Sequence, residues 1–218
     1  NLIDIKNAFF ELPLLKLVFS TLLITLLASG VAIGTPPIAL ILSNNKITER
    51  IQGFIFLFFR LIPPPLTALL LLVCTDPTIS VAALALGITN IGVMGRVLKD
   101  TLTNNSDEVY KAIKAFGASK QSAYLYGVLS PKSKSYLSYA SYRTDVVLRE
   151  TAVVGIVGGV GLGWQLQESL SSFDWAQVAV VSMTFISITL LGEYLCDKAN
   201  HYWLETTTDT SLEISLQS

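Results

Sequence analysis

The run LLKLVFSTLLITLLASGVAIGTPPIALILS, Leu14 to Ser43, contains no charged residue after Lys16. The hydrocarbon core of a bilayer is about 30 Å thick and needs about 20 apolar residues of helix to cross it. Only a helix or a closed barrel pairs its backbone polar groups inside lipid. The length and composition of the run therefore predict a membrane-spanning helix.

The composition of the whole chain agrees with a membrane protein. Hydrophobic residues make up 51% of the 218 residues and charged residues 14%, whereas charged residues are about a quarter of a typical soluble domain. The formal net charge is -1, so the chain has no general attraction to nucleic acid. We expect the lipid bilayer, and not a nucleic acid, to be its main surrounding partner.

Four more apolar runs meet or approach the length of a span. None of them shows the alternation with period 2 that a membrane β-barrel requires. The four runs are Ile51–Val73, Ile79–Val97, Leu137–Gly163 and Trp175–Cys196. The predicted fold is an all-α membrane protein with five transmembrane helices, and one more span upstream of Asn1 is compatible with the pattern.

The positions of Lys and Arg predict the orientation of the spans. The joins 74–78 and 165–174 contain neither residue, so both should face outward. Most of the Lys and Arg residues between 46 and 134 lie in the joins on the other side of the membrane. The long central segment, which is one of these joins, should therefore be cytoplasmic. The predicted domains are an outer-face N-terminal segment at 1–13, a transmembrane domain at 14–196 with a cytoplasmic loop at about 98–136, and a disordered cytoplasmic tail at 197–218.

The central segment has the pattern of two short helices joined by a sharp bend. Asn105 precedes Glu108 by three residues, as at a helix start where the Asn side chain caps free amides. Gly117 can take the left-handed conformation that ends a helix, and Ser119 can cap a second helix that runs to about Leu129. In the alternative interpretation, the segment is a solvated amphipathic connector without a partner.

Residues 110–131, YKAIKAFGASKQSAYLYGVLSP, resemble the cytoplasmic EAA loop of ABC importer permeases. The loop pattern is Glu-Ala-Ala, three residues, Gly, and later Leu-Pro. Ala112 and Gly117 fit that pattern, whereas Lys111 stands where the Glu usually is. The resemblance implies an ATPase-coupling loop, whose candidate residues are Lys111, Ala112, Lys114, Gly117, Ala118, Ser119 and Tyr124.

Three flanking stretches are similar to phosphonate-uptake permeases in particular. FRLIPPPL, residues 59–66, resembles their Arg-x-Ile-Pro motif, and ALGITNIGVMGR, residues 85–96, resembles their third span. Residues 137–166 resemble their run of Tyr-Arg, a further Arg with small residues, and a Gly-rich end. The matches extend from about Leu14 to Leu195, nearly the whole chain.

The resemblance implies a type I, binding-protein-dependent importer in the plasma membrane of a prokaryote, which is the inner membrane of a Gram-negative cell. The implied partners are a second permease subunit in a homodimer, separate ABC ATPase subunits that bind ATP and Mg, and an extracytoplasmic substrate-binding protein. The implied cargo is phosphonate or a related phosphorus oxyanion, such as phosphite or a phosphate ester. Two alternatives stay open: a permease for another small solute such as methionine, and an ATP-independent channel or scaffold.

Charged residues inside the predicted spans form a second group of candidates. Each costs about 2.5 to 3.5 kcal/mol on insertion scales, so it should face protein, water or another charge. Asp145 and Arg149 are four residues apart and can pair on one helical face. A sharper hypothesis is that Arg149, together with Arg60, gives the pathway a positive potential that favours an anion. The candidates for the pathway or for charge pairs are Arg60, Arg143, Asp145, Arg149 and Glu150.

Prolines and glycines are candidate hinges or packing sites. Pro63 and Pro64 interrupt the second span and favour either a static kink or a hinge. The run GIVGGVGLG lacks the spacing and the Lys-Ser/Thr of a phosphate loop, so its glycines indicate close helix contact or a hinge. These glycines are Gly155, Gly158, Gly159, Gly161 and Gly163.

The sequence offers no plausible catalytic constellation. It contains no Ser/His/Asp set, no catalytic Cys/His pair and no metal-ligand spacing around its two cysteines and one histidine. We therefore expect no catalytic residue, no metal site and no cofactor in this chain. The chain itself is predicted not to be an enzyme.

Overall fold

The computed structural model describes the backbone of residues 2–42, 46–103 and 108–216, and the side chains of 4–42, 47–101 and 108–201. Every regular element in these ranges is helical. The helices are α1 (Leu2–Glu11), α2 (Leu14–Leu42), α3 (Lys46–Leu61), α4 (Pro64–Leu72), α5 (Ile79–Thr103), α6 (Glu108–Ala115), α7 (Lys120–Tyr124), α8 (Ser130–Gly158), α9 (Gly161–Ser171) and α10 (Trp175–Leu216), with a π-helical turn at Leu125–Leu129 between α7 and α8.

The number of spans agrees with the sequence prediction when broken helices are counted. Within the described residues, α2, α5 and α10 are each long and apolar enough to cross a membrane alone. Two bent pairs raise the count to five if each pair is one span: α3 with α4, bent by 92°, and the α7–α8 segment with α9, bent by 54°. The fold is therefore an all-α membrane protein.

The second span is not one helix. α3 ends at Leu61, and α4 begins with Pro64, so the prolines lie in the first turn of α4, where a missing amide costs little. The Thr89 hydroxyl of α5 donates to the Ile62 carbonyl in the bend, at 3.3 Å. The run predicted as a single interrupted span is therefore two helices at a steep angle, held by a contact from α5.

Prolines act differently in α2, which continues through Pro36 and Pro37. Pro37 has no amide hydrogen, so the carbonyl four residues earlier, Ile33, loses its helical donor. The Tyr136 hydroxyl of α8 donates to that carbonyl at 2.8 Å. A side chain from another helix thus replaces the missing backbone hydrogen bond.

The Gly-rich segment ends the predicted fourth span earlier than expected. α8 ends at Gly158; Gly159, which follows it, and Gly161, the first residue of α9, adopt positive φ angles of 65° and 72°. A Cβ atom at Gly163 would overlap the Ala152 carbonyl oxygen, and one at Gly155 would lie 2.7 Å from the Val160 carbonyl oxygen. The glycines therefore lie at a close contact between α8 and α9.

α5 is the centre of the bundle, where it packs against α2, α3, α4 and α8. Small side chains let the helices approach closely in a core that includes Ala28, Ala68, Ala82, Leu86 and Val147. α10 is different, since only 11% of its apolar window is buried inside the chain. Most of the apolar surface of α10 therefore faces lipid or another subunit.

The two ends of the chain are helical in the structure. α1 packs against α10. The backbone of α10 continues to Leu216, so it is helical through most of the segment 197–218, for which the sequence predicts disorder. Once a helix has formed, each further residue adds one backbone hydrogen bond, so the helix of a span can continue beyond its apolar part. The assignment of each end to one side of the membrane stays a prediction.

Candidate functional site

The central segment forms the predicted first short helix, α6, and the predicted bend, but the second helix does not end near Leu129: α7 continues through the π-helical turn into α8. α6 is followed by Gly117 at a φ of 86°, a conformation that favours glycine. The Ser119 hydroxyl accepts a hydrogen bond from the Ser122 amide at 3.1 Å and so caps α7. Asn105, the predicted cap of the first helix, lies outside the described residues. Ala118, between the two helices, is partly buried.

The two helices of the loop have different surroundings. α6 has no buried residue, and Lys111, Ala112 and Lys114 on it are exposed. Phe116, which directly follows α6, is also 93% exposed. By contrast, Ala123 in α7 is fully buried, and Tyr124 packs against a buried cluster formed with residues of α2, α5 and α8. The loop therefore packs against the bundle through α7, whereas α6 stays exposed on its surface.

A closed ring of hydrogen bonds joins α5 to α8 inside the bundle. The Arg143 Nε donates to Asn90 Oδ1 at 2.5 Å, and Arg143 Nη2 donates to Glu150 Oε1 at 3.0 Å. The Asn90 Nδ2 donates to Glu150 Oε2 at 3.1 Å, which closes the ring. Asn90 is fully buried, and the Arg143 and Glu150 side chains are 16% and 26% exposed. We call these three residues the polar ring.

A second charge cluster joins α8 to α10. Arg149 Nη2 lies 2.7 Å from Asp145 Oδ2, as the i,i+4 spacing predicts, and 3.2 Å from Glu193 Oε2. One guanidinium therefore faces two carboxylates, and the three groups together carry a charge of -1. This neutralisation argues against Arg149 as a source of positive potential for an anion. The geometry supports the charge-pair interpretation instead.

The structure does not bring all five charged candidates together. Arg143 and Glu150 share the polar ring, Asp145 and Arg149 share the second cluster, and Arg60 is exposed near the end of α3, apart from both. Two partners, Asn90 and Glu193, were not among the sequence candidates. A signal for both was present, since each is a polar residue inside an otherwise apolar run.

No metal centre is found in the part of the chain whose side chains are described. No group of three or more His, Cys, Asp or Glu side chains there has a geometry that could hold a metal ion.

The fold matches a solved structure described as an amino acid ABC transporter with histidines, with a TM-score of 0.68 at 17% identity over 92% of this chain and 96% of that one. Residues 27–195 match the family model of the binding-protein-dependent transport system inner membrane component. The chain belongs to this family of transport permease subunits.

Several relatives of the chain are permeases for phosphorus compounds by name. It is 26% identical over 152 residues to a putative phosphite transport system permease protein of Stutzerimonas stutzeri, over 69% of this chain and 58% of the relative. It is 30% identical over 121 residues to a putative cryptic phosphonate transport system permease protein of Escherichia coli K12, over 56% of this chain and 99% of the relative.

A third relative is longer than this chain. The chain is 27% identical over 185 residues to a phosphate-import permease protein of Mycolicibacterium smegmatis, over 81% of this chain and 35% of the relative. The chain thus spans 58% of the length of the Stutzerimonas relative and 35% of the Mycolicibacterium relative.

Proposed function

We propose that this chain is the permease subunit of an ATP-driven importer for phosphonate or a related phosphorus oxyanion. The observation that carries the proposal is the solvent-exposed helix α6, followed by the exposed Phe116, in a chain of a transport permease family. The names of three relatives, for phosphite, phosphonate and phosphate, support this class of cargo. The motifs at 59–66 and 85–96 support it independently.

The proposed assembly contains several other chains. A second copy of this permease would complete the pathway, because a single chain leaves most of α10 uncovered. ATPase subunits would bind ATP and Mg and dock on α6, and a substrate-binding protein outside the membrane would deliver the anion. The location is the plasma membrane of a prokaryote. Hydrolysis belongs to the ATPase chains, so this chain has no enzymatic step of its own.

The mechanism follows from how the loop is attached. A force on α6 passes through the bend at Gly117 to α7, which packs against α2 and α5. α5 is tied to α8 by the polar ring. Movement of the ATPase would therefore move α5 and α8 together, and these helices would open or close the pathway.

The test is the ratio of anion uptake to ATP hydrolysis in vesicles that contain the permease, its ATPase and its binding protein. Gly117→Val should hydrolyse ATP with little uptake, because Val is strained at a φ of 86° and the bend would change. Gly30→Val is the matched control, since a Cβ atom at Gly30 meets nothing within 4 Å. An unchanged ratio for Gly117→Val would argue against the coupling role.

The alternatives give different results in the same vesicles. An ATP-independent channel would pass the anion without ATP, and no ATPase would copurify with it. A permease for another solute would keep the coupled hydrolysis but would respond to that solute, for example methionine, and not to a phosphonate. Measuring uptake of both solutes with and without ATP therefore separates the three functions.

A further inference from the structure

The corner between α9 and α10 holds a phenylalanine in a backbone conformation that favours glycine. Phe173 has a φ of 56°, and it is the one non-glycine residue with a positive φ among the residues that the structure describes. The left-handed region brings a Cβ atom close to the backbone, so it is costly for a bulky side chain. The α8–α9 segment runs from the loop that contains α6 to this corner, which therefore lies at the opposite end of the bundle from α6.

Hydrogen bonds on both sides of Phe173 hold the corner in this conformation. The Phe173 amide donates to the Leu170 carbonyl at 3.2 Å, and the Asp174 amide donates to the Ser169 carbonyl at 3.0 Å. These two bonds form the Schellman pattern that ends a helix. The Asp174 carboxylate also accepts from two amides in the first turn of α10, both at 3.1 Å, and so caps that helix. The corner is therefore a rigid support for the Phe173 side chain.

The ring of Phe173 contributes little to the packing of this chain. The residue is 75% exposed, so burial inside the bundle does not offset the strain of its backbone. On local grounds a glycine would fit the position better, because glycine takes the left-handed conformation without strain. A strained residue whose large apolar side chain has no use within its own chain indicates a contact with another molecule.

The surroundings of Phe173 are acidic. The joins 74–78 and 165–174 both lie at this end of the bundle, and they carry three carboxylates, those of Asp76, Glu168 and Asp174, but no Lys or Arg. A lipid surface suits such a region poorly, because segments that bind headgroups carry Lys or Arg, and interfacial aromatic residues are mostly Trp and Tyr. A protein with a basic surface suits it well, because the charges of the two surfaces are complementary.

We propose that Phe173 is the anchor of a docking surface for a soluble protein at the end of the bundle away from α6. The partner should offer an apolar socket for the ring, with Lys or Arg on its rim to face the carboxylates. A buried aromatic anchor inside a polar rim is a common arrangement in protein interfaces. The inference rests on the proposed function, in which the protein at this end is the substrate-binding protein, and it adds the residue by which that protein docks.

The test is the dissociation constant between the binding protein of the uptake vesicles and the permease–ATPase complex in lipid nanodiscs, titrated without ATP. Phe173→Gly removes the ring and suits the left-handed corner, so its unfolding midpoint should be no lower than that of the original protein. Its dissociation constant should nevertheless rise by about tenfold or more. Phe173→Tyr keeps the ring, so its dissociation constant should stay within about threefold of the original value.

The matched control is Phe54→Ala, which removes a phenylalanine on α3 that is 69% exposed. This variant should bind as the original protein does. Glu168→Gln should raise the dissociation constant several-fold, and added salt should raise that of the original protein, because opposite charges attract across the rim. An unchanged dissociation constant for Phe173→Gly would overturn the proposal.

Uptake separates this proposal from the proposed function. Phe173→Gly should need about tenfold more binding protein for half-maximal uptake but should reach the original maximal rate. ATP-independent uptake by the original protein would contradict the proposed function, whereas coupled uptake with normal docking of Phe173→Gly would contradict the docking role alone. If the ring is instead an anchor in lipid, Phe173→Gly should unfold at a lower temperature in vesicles and bind normally, which would also overturn the proposal.

Discussion

The polar ring predicts a large and specific effect of one conservative substitution, Glu150→Gln. The glutamine keeps the shape of the side chain but removes the negative charge beside Arg143, whose side chain is 16% exposed. In the unmodified protein Asn90 Nδ2 donates to Glu150 Oε2 at 3.1 Å, and the substitution places a side-chain amide group near this nitrogen. The substitution therefore leaves a largely buried guanidinium without its counter-charge.

The magnitude follows from the burial of the pair. Removing one partner of a fully buried ion pair costs about 3–5 kcal/mol. Glu150 is 26% exposed, so water can compensate in part, and a loss of about 2–3 kcal/mol in the free energy of unfolding is expected. For a chain of this length, each 1 kcal/mol shifts the melting temperature by about 2–4 °C. The expected decrease is therefore about 4–12 °C.

The assay is thermal unfolding of the purified chain in detergent, followed by circular dichroism. Asp100→Asn is the control, since it breaks an ion pair whose two side chains are 50% and 57% exposed and should cost only about 0–1 kcal/mol. A decrease for Glu150→Gln no larger than that of Asp100→Asn would refute the reasoning.

A double variant tests whether the cost comes from the unpaired charge. Arg143→Gln together with Glu150→Gln removes both charges, so no ion is left without a partner. Its loss of stability should be clearly smaller than the sum of the two single losses. Strict additivity would mean that the two side chains do not interact as the structure indicates.

Three further changes should each destabilise the fold at a different junction, measured in the same unfolding assay. Tyr136→Phe removes the donor to the Ile33 carbonyl and should cost about 1–2 kcal/mol; no loss would mean that water serves that carbonyl instead. Gly163→Ala should cost more than Gly158→Ala, because a Cβ at Gly158 meets its nearest neighbour at an ordinary 3.4 Å; equal losses would contradict the close contact. The Leu162 amide of α9 donates to the Thr21 hydroxyl of α2 at 3.0 Å, so Thr21→Val should leave that amide unpaired and cost about 1 kcal/mol, whereas Thr21→Ser should cost less.

Local patterns predicted much of the membrane bundle and of the loop. Charge-free runs of sufficient length predicted the spans, because lipid imposes one length and one helical solution on any chain. The bend at Gly117, the cap at Ser119 and the pairing of Asp145 with Arg149 depend on residues at most four apart. Backbone geometry over so short a distance is nearly independent of the rest of the fold.

The sequence by itself thus determined the class of fold, the helical loop and the pairing along single helices. Only the tertiary structure decided which helices meet: Asn90 and Glu150 are 60 residues apart, and Tyr136 and Ile33 are 103 apart. It also decided the 92° bend between α3 and α4. The physical reason is that contacts between helices depend on their rotation and crossing, which are set by the packing of small residues over the whole bundle. The spacing of residues along one helix does not predict that arrangement.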